Sequence, residues 1–187
     1  MRVLILLLFT SSGLYCQFDH LVFERTSKSK KRGNTYRIYA ELKNEADQLM
    51  VVFGDKEHPL RLFSDQKFFQ LPEGSASASE IPPHKREQAL QLDSWITISS
   101  DEISHPSLQF MGMNVTRFES EGGEISSGDD GAWYILPTAK QSISGKNKRI
   151  LLAQLTTKGN ISGVLNLMGK THAGEKWIEY NIPLEIK

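Results

Sequence analysis

Cysteine is almost missing from this chain. Its 187 residues include one, Cys16, close to the start, so no disulfide, thiol nucleophile or cysteine metal cage is expected to shape the rest. Charge of one sign is missing too. The 22 Lys and Arg residues are balanced by 22 Asp and Glu, which leaves no global field to draw in nucleic acid or a membrane surface. No apolar run approaches the roughly 20 residues that a bilayer-spanning helix needs. The sequence contains no G-x-S-x-G, H-E-x-x-H, C-x-x-C or phosphate-loop pattern. Its five histidines, His20, His58, His84, His105 and His172, are scattered. These absences argue against an enzyme. A small hydrolase with a site composed from distant strands is the remaining catalytic alternative, because such sites are defined by geometry and not by order.

What is present begins with Met1-Arg2, the apolar run from Val3 to Phe9, and a small or polar exit to Cys16. That pattern describes a signal peptide over residues 1–16 and predicts a secreted protein, extracellular or in the cell envelope. Cleavage before Gln17 is the first reading. A second keeps Cys16 as a lipidated residue, although Tyr15 is a poor residue to precede it. Residues 17–33 read as a flexible basic lead-in and 34–187 as one domain, since the roughly 170 residues that follow the signal suffice for one self-supporting core.

Period-two alternation recurs along the domain. TYRIYAEL (35–42) places Tyr36, Ile38, Ala40 and Leu42 on one face. WIEYNIPLEI (177–186) places Ile178, Tyr180, Ile182, Leu184 and Ile186 opposite Trp177, with Pro183 marking an edge strand or a bulge. Further strands are predicted at 48–53, 60–63, 67–71, 94–99, 108–118, 132–136, 149–157 and 161–168, with Gly112 suggesting a bulge. Lys158-Gly159-Asn160 reads as a hairpin turn. Pro72 to Leu92 reads as a long surface loop with a helical turn near 85–90. The fold expected is an all-β antiparallel sandwich of roughly 8–10 strands.

TYRIYAEL, VVFGDKEHPL, DSWITI, GMNVTRFESEGG, GAWYILP and LLAQLTTKGNISGVLN occur in that order. Together they resemble an uncharacterised β-rich domain found, sometimes repeated, in secreted multi-domain bacterial proteins. The resemblance spans Asn34 to Asn166 and departs from the usual pattern at 72–92. It implies an extracellular, non-enzymatic module and assigns no catalytic or ligand residue.

Three features invite a functional reading. Glu119, Glu121, Glu124, Asp129 and Asp130 form an acidic loop that could supply oxygen ligands to calcium. Gly128-Asp129-Asp130-Gly131 equally satisfies the demands of a plain turn. The run Lys28-Ser29-Lys30-Lys31-Arg32 could meet an anionic polysaccharide, lipid headgroups or nucleic acid, but such runs are more often solvated. Trp177 is the tryptophan expected at the surface, and one of Trp133 and Tyr134 must face outward if their strand is regular. An exposed indole could stack on sugar, although aromatics more often fill or cover a sandwich core. The two sequons, at Asn114 and Asn160, are attributed to chance. The expected function is a non-enzymatic binding or structural module that meets a protein or polysaccharide of the cell exterior through loops at one end of the sandwich. The alternative is a carbohydrate-binding module using the tryptophans. The alternating C-terminal strand also offers an edge for a dimer.

Overall fold

A computed structural model describes residues 17–72, 74–101, 105–113 and 115–187. The expected signal peptide with Cys16, and the sequon asparagine 114, lie outside these residues. Among them, eleven strands form two antiparallel sheets packed as an all-β sandwich. The smaller sheet runs in the order β1 (Phe18–Ser29), β2 (Gly33–Leu42), β9 (Arg149–Thr157) and β5 (Trp95–Ser99). The larger runs β6 (Gln109–Met111), β8 (Asp130–Tyr134), β3 (Gln48–Asp55) and β10 (Ile161–Lys170). Beyond β3, β10 continues beside β4 (Arg61–Ser64), which pairs with β7 (Ile125–Ser126). The other flank of β10 carries β11 (Lys176–Ile186).

Alternation explains the core. Ile38, Ala40 and Leu42 of β2 are buried against Val52, Trp133, Leu165 and Leu167 of the larger sheet in one apolar cluster. The inner residues stand between two sheets, so burial of this face supplies the main driving force for the sandwich.

Several expectations are corrected. The lead-in is not flexible: β1 pairs with β2 from Phe18 opposite Leu42 to Ser29 opposite Gly33, so the sandwich begins before residue 34. Lys158-Gly159-Asn160 is not a hairpin turn, because β9 and β10 belong to different sheets and the turn carries the chain between them. Segment 67–71 forms no regular strand; Phe68 makes an isolated bridge to Thr157. The run 108–118 splits at Gly112, whose φ is +65°, into β6 and a short helix α2 (Thr116–Glu121).

The stretch 72–92 is a cover, not a surface loop. With Leu71, its Ala78, Ile81 and Ala89 are buried over Tyr39, Trp95 and Leu151, the outward-facing residues of the smaller sheet. Helix α1 (Arg86–Leu92) ends this cover. The Gln154 amide donates to the carbonyls of Ala89 and Asp93, at 3.1 and 2.9 Å, and the Trp95 indole donates to Ala89 at 3.3 Å. Asp93 pins the start of the cover: its Oδ1 accepts the Leu71 and Ser94 N–H groups at 2.8 and 3.0 Å. Its Oδ2 is buried with no partner among the described residues. Burial raises the Asp93 carboxyl to about 6, against the pull of its two backbone donors.

Candidate contact face

The expected calcium ligands are not assembled. Glu119 turns to the cover, accepting the Ala76 N–H at 2.7 Å and the Ser75 hydroxyl at 3.2 Å. Glu121 lies 3.7 Å from Arg117 on its own helix, and Glu124 pairs with Arg61 at 2.7 Å. Asp130 sits in β8 opposite Asp55, with Asp129 exposed beside it. Gly128 has φ +58° and open space around it, as a turn requires. The stretch turns the chain.

The tryptophans are corrected as well. Trp133 is fully buried, with its indole N–H on the Thr97 carbonyl at 3.3 Å, and Trp177 is 4% exposed. Neither can stack on a sugar. Trp177 reaches the core because β11 carries a bulge: Leu165 faces Ile182 and Leu167 faces Glu179, so Tyr180 and Asn181 together oppose Asn166. Asn181 takes a φ of +56° there. The extra residue reverses the strand's inside and outside, which strict alternation could not show. The buried Asn166 side chain completes the bulge: it accepts the Asn181 N–H at 2.8 Å and donates to the Phe53 and His58 carbonyls at 2.9 and 2.8 Å.

The same bulge leaves Tyr180 pointing outward, next to other apolar side chains. Register places Tyr134, Val51, Met168 and Ile178 side by side on the outer face of the larger sheet. The next rung holds Met111, Ala132, Phe53, Asn166 and, at the bulge, Tyr180. Met111 is 57% and Tyr180 41% exposed. Five strands at about 4.8 Å spacing make this stripe roughly 20 Å wide.

Tyr180 is held in place. The His58 ring lies 4.2 Å from it, tilted 34°, and Phe53 meets it edge-on at 5.7 Å. Asp55 fixes His58 in turn, accepting its backbone N–H at 2.7 Å and that of Glu57 at 2.9 Å. The His58 N–H holds the Asp55 carboxyl below the usual range. This group fixes an aromatic surface.

The stripe had a signal in the sequence. QLMVVF and LNLM place apolar residues at both parities of a strand, the pattern of strands apolar on two faces. Among the described residues, one group could offer three ligand atoms to a metal, Asp19, His20 and Glu41. Its members are engaged: His20 meets Asp19 at 2.9 Å and Glu41 accepts from Arg149 at 3.0 Å. Comparison of the chain with family models, curated proteins and solved structures gives no match.

Proposed function

We propose that the protein is a non-enzymatic binding module of the cell exterior that seats a protein partner on the outer face of its seven-stranded sheet. One observation carries this reading: among the described residues the outer face of the larger sheet leaves Met111 and Tyr180 exposed at its two ends and Val51, Phe53, Tyr134, Met168 and Ile178 half-buried between them, whereas the equivalent face of the smaller sheet is covered. Contiguous exposed apolar surface marks interaction sites more often than isolated residues do. Its Tyr, Phe and Met content matches what protein interfaces favour. A position outside the cell rests on the N-terminal pattern and on the resemblance noted above.

Photo-crosslinking in the native host tests the proposal. A benzoylphenylalanine at Met111 or at Tyr180 is expected to capture the same identifiable protein, and one at the exposed Lys146 is not. That protein, purified, should bind the wild type and lose at least about tenfold in affinity to Ile178→Asp, a loss of about 1.4 kcal/mol. Adducts at Met111 and Tyr180 no stronger than at Lys146 would reject the face as a contact surface.

A further inference from the structure

The basic run that reads as a solvated lead-in is the tip of an ordered hairpin. Residues 30–32 join β1 to β2, and the Arg32 N–H donates to the Ser29 hydroxyl at 3.2 Å. Because Asn34 pairs with Thr157, the tip lies against the turn that leaves β9. The approach is close enough to demand glycine: a Cβ on Gly33, whose φ is +100°, would lie 2.0 Å from the Thr157 carbonyl oxygen. A third segment is fastened at the same place. Phe69 N–H donates to the Thr156 carbonyl at 2.7 Å, and the Thr157 hydroxyl donates to the Lys67 carbonyl at 3.1 Å.

These attachments gather Lys31, Arg32, Lys67 and Lys158, from three separate parts of the sequence, around one cleft of about 430 Å³. The Arg32 guanidinium carbon lies 5.0 Å above the centre of the Phe69 ring. Stacking of this kind limits a guanidinium's freedom and leaves its donor edge for a carboxylate or sulfate. The Gln70 amide nitrogen at the cleft has no partner among the described residues. The cleft's one anion, Glu121, is drawn towards Arg117. Among the described residues none of the four cations is in an ion pair.

We infer that this cleft binds a short stretch of an acidic polysaccharide, with its carboxylate or sulfate groups on Arg32, Lys31, Lys67 and Lys158. Four unpaired cations facing one recess are complementary to an anionic ligand. The recess lies within the usual range of small-ligand sites, about 300–1,000 Å³. A concavity of that size suits a few charged sugar rings better than a flat bilayer or the long backbone of a nucleic acid. None of the cleft residues belongs to the Met111–Tyr180 stripe, so the two sites are independent.

Calorimetry with the purified chain tests the inference, using oligogalacturonate and chondroitin sulfate oligosaccharides as probes and neutral dextran as the control sugar. One or both acidic probes are expected to bind, more weakly as salt rises. Arg32→Ala combined with Lys158→Ala should weaken binding at least about tenfold, near 1.4 kcal/mol, with the thermal melt unchanged. Lys140→Ala combined with Lys146→Ala removes the same net charge away from the cleft and should change affinity less than about twofold, within about 0.4 kcal/mol. The inference fails if neither acidic probe binds, or if the two double variants lose affinity equally. It fails equally if oligothymidylate or phosphatidylglycerol vesicles bind more tightly than both sugars.

Discussion

On the smaller sheet, Tyr39, Trp95 and Leu151 face away from the sandwich core and disappear beneath the 71–92 segment. On the larger sheet, Val51, Phe53, Met168 and Ile178 face away in the same manner and stay partly open. Both sheets are thus apolar on two faces. Among the described residues, only the smaller sheet has a segment of the chain laid over its second face. Apolar content therefore does not separate a covered face from a partly open one in this protein. What separates them is whether the chain supplies its own polar attachments. Gln154 and Asp93 tie down the cover, while Asn166 on the other sheet spends its side chain on the bulge and the turn that present Tyr180.

The sharpest way to break the contrast is to hollow out the covered face. Trp95→Ala removes a fully buried ring and the donor to Ala89, and should cost about 3–5 kcal/mol in urea unfolding. It should also make residues 71–92 the first site of proteolysis.

A smaller effect comes from Asp93. Its folded value of about 6 lies above the ordinary 3.8, so ionisation is less favourable in the folded state than in the unfolded one. The folded protein is therefore penalised above pH 6 and recovers as the pH falls from there towards 4. A difference of this size amounts to about 3 kcal/mol. Stability curves of the wild type and Asp93→Asn should accordingly converge as the pH falls from 7 to 4, with the variant the more stable at neutral pH. Parallel curves would show that Asp93 titrates normally in the fold.

The smallest expected effect tests the open face. Tyr180→Ser should change stability by no more than about 1 kcal/mol, because Tyr180 is 41% exposed already. A loss as large as that of Trp95→Ala would mean that the stripe is part of the folding core and would end the distinction between the two faces.

Much of the sandwich was legible from alternation. The inner face of β2 and the extents of β3, β5, β9 and β10 follow from it closely. Other features turned on information that no short window contains. Turn chemistry at Lys158-Gly159-Asn160 reports that the chain bends, not which sheet receives the next strand. The SASAS stretch (75–79) reads as part of a surface loop because its residues are small and polar. In the fold, that smallness lets Ser75 to Ala78 lie close against the sheet. Trp177 was misplaced by one residue of phase, since a bulge leaves no mark in the apolar pattern except the reversal it causes. The candidate surfaces were the least legible part. Tyr180, Phe53 and Met111, like Arg32, Lys67 and Lys158, meet only after distant segments have paired.

Among the described residues, β11 pairs with β10 alone, which makes it an edge strand of the larger sheet. Pro183 offers no N–H, and Asn181 leaves the extended conformation two residues earlier. A strand laid along this edge would lose its registry halfway. Growth of the sheet by addition at its rim, the first step of a fibre, is thereby discouraged. On the proposed reading the partner seats instead on the flat side of the sheet, where one occupant closes the surface and leaves nothing to propagate.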